Sequence, residues 1–570
     1  MTSKVQVAGD LSIARGIPLS EEGGIGPLTL GRYVREIARM YGPREAAMIN
    51  IDGAVERWTY DDLLAKSLEV AKALIASGTG KSTRVGIIVT NRLEFLSCTF
   101  GAALAGCVAN PISSFFTPAE MDEVLKLSGC SVLLMERKVL KKDFADMLIG
   151  LEPQIASMTP GELASERYPF LRHLAMIDTD EAEGGIEGWS KFLSRGKDVA
   201  EDLVEAATAA VTPADPAVLM FSSGSTGKAK GILNSNRGVC LQLWRWHQWY
   251  DIKPEHPPRT WSANGCFWSG NFCQAFGGTL SSGGTLLLQR WFDPAEALEL
   301  MDKERCSMPL AWPHQWPQLA AAPNYDSVDL SAMRYLDKTM LLAKHPSVHT
   351  EWLEPGQAYG NTETFTLITV FPSGTSPDLA VPLSYGHPTA GSTIKIIDPL
   401  TGATVPIGER GEIAVKGPTL MMGYLGIPLD ETLDDEGFLR TNDGGYMDAE
   451  GRLFWEGRLN DIIKTGGANV SPLEIDAVIR DHPGVKLTQT VGIPDELLGE
   501  LVVGCIVPHA GVSLTEDEIK AWAKEKLASY KVPRRVLFFE EKELETTGSS
   551  KIKTAELRKL AGDRLKAEAA

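Results

Sequence analysis

The clearest chemical pattern in the chain is an apolar run followed by a loop rich in glycine, hydroxyl groups and lysine. The loop is Ser222–Gly231 (SSGSTGKAKG), and it follows the predicted strand Ala217–Ser223. Backbone N–H groups, hydroxyls and ammonium groups in such a loop can converge on phosphate oxygens. The spacing differs from the common nucleotide P-loop, because Gly224 and Gly227 are too close and Ala229 replaces the metal-binding Ser or Thr. The loop predicts a phosphate site outside the kinase and GTPase classes, although composition alone equally fits a surface turn.

A second segment, Tyr359-Gly360-Asn361-Thr362-Glu363, combines the groups that a nucleotide triphosphate needs. An aromatic ring can stack on adenine, a threonine hydroxyl can meet phosphate, and a carboxylate can hold Mg²⁺. A polar turn after a strand is the alternative explanation for this segment by itself.

Taken in order, these and later segments resemble the adenylate-forming superfamily of acyl-CoA synthetases, luciferases and peptide-synthetase adenylation domains. Ser222–Gly231 fits the phosphate loop of that family throughout, and Tyr359–Glu363 fits its Y-G-x-T-E motif. The resemblance extends from Tyr60 to Leu557. It implies an AMP-forming acid–thiol ligase that uses ATP, Mg²⁺ and CoA and makes an acyl-adenylate before the acyl-CoA.

The resemblance also implies roles for individual residues. Lys551, Glu363 and Thr226 would be catalytic, with Glu363 as the metal ligand, and Asn460 would be the hinge of a mobile C-terminal domain. Rotation about Asn460 would withdraw Lys551 and bring Gly467 to the pantetheine tunnel. The residues expected to contact nucleotide or CoA are Ser222, Ser223, Gly224, Ser225, Thr226, Gly227, Lys228, Lys230, Tyr359, Gly360, Asn361, Thr362, Asp443, Arg458, Lys464, Gly466 and Gly467.

Four segments depart from the family pattern. Asn442 replaces the Gly of the T-G-D motif, and Asn460 replaces the usual Asp or Lys at the hinge. Residues 546–552 lack the Pro, Arg and Gly that normally precede the catalytic lysine. The stretch Leu336–Met340 has no Gly-Gly-Ala loop, so a different backbone path or larger side chains would shape the pocket there.

The acyl pocket is predicted from aromatic residues, with Phe267, Trp268 and Trp244 as its candidates. Eight of the 13 tryptophans lie between residues 244 and 316, and we expect at least half of these aromatics to be core. The set favours a hydrophobic acid, whether aliphatic, alicyclic or aromatic. An amino acid is disfavoured, because its ammonium group would need an acidic partner and Asp251, in a predicted turn, is the only Asp between the loop and Phe267.

Alternating helical and strand-like segments predict an α/β fold around these motifs. We expect a large N-terminal domain, residues 1–459, of doubly wound α/β subdomains plus a small β region over Ile394–Glu456. A small mobile α/β domain, residues 460–570, would follow and carry the helix PLEIDAVIRDH and the strand LVVGCIVP.

Composition narrows the partners. The 570 residues carry a net charge of −18, which disfavours nucleic acid and anionic membranes as general partners. No run approaches the ~20 apolar residues of a membrane span, and the first residues lack a signal-peptide pattern. Eight cysteines without a CxxC pair predict reduced thiols in a cytoplasmic enzyme. The expected partners are a small carboxylic acid, ATP and CoA, and a homodimer is left open.

Three alternatives to a CoA ligase remain at this point. A fatty acyl-AMP ligase would load a carrier protein instead of CoA, and a luciferase-like oxidase would emit light or peroxide. A catalytically impaired homologue acting as a binding protein is supported by the departures at 546–552 and 336–340.

Overall fold

The computed structural model describes residues 5–569 except 8, 224–228, 314, 355–356, 372–380, 460, 462, 466–467, 496–497, 528–530 and 545–551. These residues form two compact units. The first contains Arg15–Thr393 and Lys416–Gly437, and the second contains Val5–Ala14, Ile394–Val415 and the chain from Phe438 onward. The boundary predicted between residues 459 and 460 stays a prediction, since Asn460 lies outside the described part.

An eight-stranded sheet organises the first unit. Its first six strands are parallel to one another, and each of the last two pairs antiparallel with the strand before it. In spatial order the strands are Ile186–Gly188, His173–Met176, Val132–Met135, Arg84–Ile88, Val108–Pro111, Pro216–Ser223, Ala229–Ser235 and Gly423–Tyr424. The inner strands are continuous apolar runs because parallel strands are buried on both faces. The doubly wound α/β arrangement predicted from the sequence is therefore confirmed.

A second sheet in this unit is parallel except at one edge, where Ala54–Thr59 returns antiparallel to Glu45–Ile51. Its other strands are Met308–Leu310, Arg259–Ser262 and Thr285–Leu288. Short two-stranded pairs are formed by Lys138–Val139 with Lys142–Asp143, Gly360–Asn361 with Thr366–Leu367, and Thr369–Val370 with His387–Pro388.

The helices of the first unit supply most of its core. They are Leu30–Tyr41, Tyr60–Ala76, Leu93–Leu104, Pro118–Ser128, Phe144–Leu151, Trp189–Ser194, Glu201–Ala209, Asn236–Trp249, Ser269–Asn271, Gly278–Ser281, Pro294–Lys303 and Trp316–Ala320, with a π-helix over Phe272–Gly277. Two of these helices begin with a capping box, formed by Thr59 with Asp62 and by Thr117 with Glu120, as their sequences predict. One continuous hydrophobic cluster joins helices Leu30–Tyr41, Leu93–Leu104 and Asn236–Trp249.

The second unit contains a six-stranded sheet and a five-stranded sheet. The six strands are Gln6–Val7, Ile13–Arg15, Thr393–Ile397, Gly411–Lys416, Leu439–Met447 and Leu453–Arg458. The five strands are Ile463–Thr465, Ala468–Val470, Val485–Asp495, Gly499–Pro508 and Arg535–Phe538, with helices Pro472–Arg480, Glu516–Lys524 and Thr554–Ala569. The predicted small β region and the C-terminal α/β segment are both present.

One segment differs from the sequence expectation. Lys416–Gly437 was expected within the small β region, but the structure places it in the first unit, where Gly423–Tyr424 forms the edge of the eight-stranded sheet. A two-residue edge strand is fixed by backbone pairing, which leaves no periodic pattern in the sequence.

Among the described residues, no helix has both the length and the apolar character needed to cross a bilayer. All eight cysteines are buried and unpaired.

Candidate active site

The phosphate loop closes a hairpin in the eight-stranded sheet. Strands Pro216–Ser223 and Ala229–Ser235 pair in register, with Ser222 opposite Lys230 and Ser223 opposite Ala229. The two ends of the loop are therefore held next to each other by the hydrogen-bonded strand pair. The loop residues Gly224, Ser225, Thr226, Gly227 and Lys228 lie outside the described part of the chain, so their predicted phosphate contacts stay predictions.

Glu363 lies on the tight turn that joins the two strands of a short hairpin. The 3₁₀ turn Thr362–Thr364 is capped by Asn361, whose side-chain oxygen accepts from the Thr364 N–H at 3.0 Å. Phe365 has a positive φ of 47° and reverses the chain, so that Gly360 and Asn361 pair with the residues that follow the turn. The backbone that carries the Glu363 side chain is therefore fixed both by the Asn361 cap and by the strand pairing.

Tyr359 is 4% exposed and is anchored through its backbone. Its N–H donates to Thr369 Oγ1 at 3.0 Å, and its carbonyl accepts from the Ile368 N–H at 2.8 Å. Adenine stacking on this ring stays a prediction.

The phosphate-loop hairpin and the Glu363 turn are held together by the segment Met421–Leu425. The Met421 N–H donates to the Glu363 carbonyl at 2.7 Å, and the Tyr424 hydroxyl donates to Glu363 Oε1 at 2.8 Å. The Lys230 ammonium lies 4.9 Å from the centre of the Tyr424 ring. Two motifs more than a hundred residues apart in sequence therefore meet within one compact unit.

The Asp443 and Arg458 motifs lie opposite each other on neighbouring strands of the second unit. Arg458 Nε is 3.1 Å from Asp443 Oδ1, and Asp443 is 3% exposed. Asn442 adopts φ 57°, the left-handed conformation that asparagine tolerates and that suits the Gly of the family motif. Asn at this position therefore adopts a backbone conformation that glycine also adopts readily.

Lys464 extends from the strand Ile463–Thr465 with an exposed side chain, and its backbone N–H donates to Glu500 at 2.7 Å. Lys551, Asn460, Gly466 and Gly467 lie outside the described residues. Their catalytic, hinge and tunnel roles stay predictions.

Two of the three predicted pocket aromatics belong to one aromatic cluster, in which Phe267 is buried and Trp268 is partly buried. Phe267 and Trp268 have ring centres 4.8 Å apart, and both contact Phe115 at 5.7 and 6.1 Å. Trp312 adds a contact to Trp268 at 6.4 Å. Phe115 is half exposed and Trp312 is 37% exposed, so one side of this cluster is open to solvent.

Trp244, the third candidate, packs in the hydrophobic core. Its ring meets Tyr33 edge-on at 4.9 Å, and its indole N–H donates to the Pro27 carbonyl at 3.1 Å. Its assignment to the pocket stays a prediction. Five of the eight tryptophans between residues 244 and 316 are buried, which confirms the expectation that at least half are core; they are Trp244, Trp246, Trp249, Trp261 and Trp316.

A polar trio was missed by sequence reasoning. Gln274 donates to the Tyr250 hydroxyl at 2.6 Å, and that hydroxyl donates to Glu354 at 2.5 Å. Burial raises the pKa of the Glu354 carboxyl. Its N–H donates to Asp337, in the stretch that replaces the family's Gly-Gly-Ala loop. The three residues lie 24 and 80 positions apart, and no spacing signal could have joined them.

The only metal-binding group predicted from the sequence is Glu363. The described residues contain no cluster of three or more His, Cys, Asp or Glu side chains suited to a metal ion. A single carboxylate fits Mg²⁺, which usually binds through one or two carboxylates, water and substrate phosphates.

The α/β fold and the order of these motifs along the chain agree with the family resemblance stated above. Residues 34–425 match the AMP-binding enzyme family, and residues 474–551 match the AMP-binding enzyme C-terminal domain. The chain belongs to the AMP-binding enzyme family.

The chain is 29% identical over 546 residues to the putative acyl-CoA synthetase YngI of Bacillus subtilis (strain 168), with 93% of this chain and 96% of the relative covered. It is 30% identical to a feruloyl-CoA synthase of Amycolatopsis sp, with 88% and 94% covered. The crystal structure of ATP-bound MatB from Rhodopseudomonas palustris shares the fold, with a TM-score of 0.72, 23% identity, and 93% and 99% of the two chains covered.

Proposed function

We propose that the protein is an ATP-dependent acyl-CoA ligase that activates a hydrophobic carboxylic acid and releases AMP and pyrophosphate. The observation that carries the proposal is the junction of the phosphate-loop hairpin with Glu363 through Met421 and Tyr424. Membership in the AMP-binding enzyme family and relatives named as acyl-CoA synthetases support it.

The chemistry follows from the weakness of a carboxylate as an electrophile. In the first step a carboxylate oxygen attacks the α-phosphorus of ATP, the bond to the β-phosphate oxygen breaks, and pyrophosphate leaves. In the second step the CoA thiol loses its proton and attacks the acyl carbon, so that AMP leaves with the carboxylate oxygen. The protein's task is in-line placement and stabilisation of charge on the phosphates.

Lys230 and the phosphate loop would supply positive charge and N–H donors, and Lys551 would approach the α-phosphate. Mg²⁺, where bound, would screen charge on the departing pyrophosphate, with Glu363 as its protein ligand. Asp443 would accept hydrogen bonds from the ribose hydroxyls. The first step needs no general base, because the acid is already ionised at neutral pH, and the proton that the CoA thiol loses in the second step passes to solvent.

The substrate class rests on the aromatic cluster of Phe115, Phe267, Trp268 and Trp312, of which Phe115 and Trp312 are exposed. Each methylene that such a surface buries contributes at most ~0.8 kcal/mol. Medium aliphatic, alicyclic and aryl acids should therefore be used ahead of acetate and amino acids. The name of the feruloyl-CoA synthase relative is in keeping with an aryl acid.

The domain boundary near Asn460, rotation about it, a cytoplasmic location and a homodimeric assembly belong to the same proposal. A catalytically impaired homologue that acts as a binding protein is the second candidate function. The observations that favour it are the missing Gly-Gly-Ala loop at 336–340 and the departures at 546–552.

Product analysis tests the proposal. The purified protein is incubated with ATP, Mg²⁺, CoA and a panel of acids, and acyl-CoA, AMP, ADP, pyrophosphate and orthophosphate are quantified. We expect AMP, pyrophosphate and acyl-CoA in equal amounts. Acyl-adenylate that accumulates whether or not CoA is present would favour the carrier-protein ligase. ADP and orthophosphate as products, or the absence of turnover with every acid, would refute the proposal.

A further inference from the structure

The segment Met421–Leu425 binds both halves of the proposed nucleotide site through its backbone. The Met422 N–H donates to the Leu233 carbonyl at 2.7 Å, and the Leu425 N–H donates to the Gly231 carbonyl at 2.8 Å. Gly231 is the last residue of the phosphate loop. Together with the bond from Met421 to the Glu363 carbonyl, these contacts fix Tyr424 between the loop and the Glu363 turn.

Tyr424 uses its two ends for two different partners. The hydroxyl donates to Glu363 Oε1 at 2.8 Å, and the ring face lies 4.9 Å from the Lys230 ammonium. A phenol holds a carboxylate without neutralising it, whereas a lysine or arginine in the same place would cancel the charge that attracts a cation. This hydrogen bond fixes Glu363 Oε1. Rotation of the carboxylate is therefore restricted, and so is the position of its second oxygen.

We propose that Tyr424 is a positioning residue that orients the Glu363 carboxylate toward Mg²⁺·ATP and, through its ring, holds the Lys230 ammonium beside the same phosphates. This inference rests on the proposed function, because it assumes that Glu363 meets the magnesium of the nucleotide. Tyr424 is not expected to touch a reacting atom.

The test compares Tyr424→Phe with Tyr168→Phe. Tyr168 is a matched control, because its hydroxyl also donates to a carboxylate, Asp122, at 2.7 Å, in the same unit. Tyr424→Phe keeps the ring over Lys230 and removes only the bond to Glu363. Calorimetric titration with ATP at several Mg²⁺ concentrations measures binding without any acid, and pyrophosphate exchange measures the first half-reaction.

We expect Tyr424→Phe to raise the Mg²⁺ concentration for half-maximal ATP binding about tenfold, the change that loss of one hydrogen bond to a charged group produces. Tyr168→Phe should leave the Mg²⁺ concentration for half-maximal ATP binding unchanged. It should lower the melting temperature, because it too removes a hydrogen bond to a carboxylate. In a Glu363→Gln background, Tyr424→Phe should add less than a twofold further effect, since both changes remove one interaction. Tyr424→Leu should also raise the Kd of ATP, because the ring contact to Lys230 is lost.

An unchanged Mg²⁺ dependence in Tyr424→Phe would overturn the inference, as would full additivity with Glu363→Gln. Failure of the proposed function is a different result. A wild-type protein that binds Mg²⁺·ATP but exchanges no pyrophosphate with any acid would refute the ligase while the binding titrations still decide the role of Tyr424. A protein that does not bind Mg²⁺·ATP would refute both.

Discussion

Gly360 occupies a position where a single methyl group should disable the site. A Cβ at Gly360 would lie 1.8 Å from the Thr366 carbonyl oxygen and 2.7 Å from Leu367 Cα, whereas ordinary contacts begin at 3.4 Å. Both neighbours are backbone atoms of the paired strand, which cannot swing away like a side chain. The two strands must therefore separate by about 1.6 Å, three residues before Glu363. A misplacement of about 1 Å can cost a factor of about 10².

The assay for Gly360→Ala is acid-dependent pyrophosphate exchange together with thermal unfolding. We expect kcat/KM to fall at least about 10²-fold, and the melting temperature to fall as strand hydrogen bonds worth ~1–3 kcal/mol each are strained. Gly150→Ala is the matched control. Gly150 is an exposed glycine in helix Phe144–Leu151, and its added Cβ would meet nothing within 4 Å. The Gly150→Ala variant should keep full activity, and its free energy of unfolding should rise by ~0.5–1 kcal/mol. Activity of Gly360→Ala within threefold of wild type would show that this strand pairing does not position the Glu363 turn.

Three further experiments test the metal ligand, the alternating C-terminal domain and the pH dependence of stability. Glu363→Gln should lower exchange activity ~10²–10³-fold at limiting Mg²⁺, and near-normal rates would mean that the metal is held elsewhere. Lys551→Ala should abolish adenylation but spare thioester formation from supplied acyl-adenylate, and Gly467→Trp should do the reverse; equal damage to both assays would contradict an alternating C-terminal domain. Asp476 is 4% exposed, and burial raises its pKa to about 6. Because the folded state binds this proton more tightly than the unfolded state, stability should fall as the pH rises from about 4 to about 6 and then level off. Asp476→Asn should remove this pH dependence and raise the free energy of unfolding at pH 7 by up to ~3 kcal/mol, as measured by denaturant unfolding. An unchanged pH dependence in Asp476→Asn would show that Asp476 is not its source.

Much of the architecture follows directly from local sequence signals. The predicted strand Ala217–Ser223 corresponds to the observed strand Pro216–Ser223, and the predicted helix PLEIDAVIRDH corresponds to the observed helix Pro472–Arg480. These elements carry an apolar run and a proline at the helix start, which are local in the chain. The order of motifs also predicted the family.

The support around the site was not predictable in the same way. Tyr424 reaches Glu363 only because a two-residue edge strand pairs with the phosphate-loop strand, and a pairing between distant segments has no local signature. The trio of Tyr250, Gln274 and Glu354 is formed by tertiary contact in the same sense. Burial of Trp244 depends on the N-terminal segment at Pro27, which hydrophobicity alone does not reveal.

The central claim is that the acid is activated as an acyl-adenylate, and isotope transfer tests it most directly. A preferred acid labelled with ¹⁸O in its carboxylate is converted in the presence of ATP, Mg²⁺ and CoA, and the phosphate products are analysed by mass spectrometry. Attack of the carboxylate on the α-phosphorus followed by thiolysis predicts one ¹⁸O atom in AMP and none in pyrophosphate. Label in orthophosphate with ADP as co-product, or unlabelled AMP, would contradict the account.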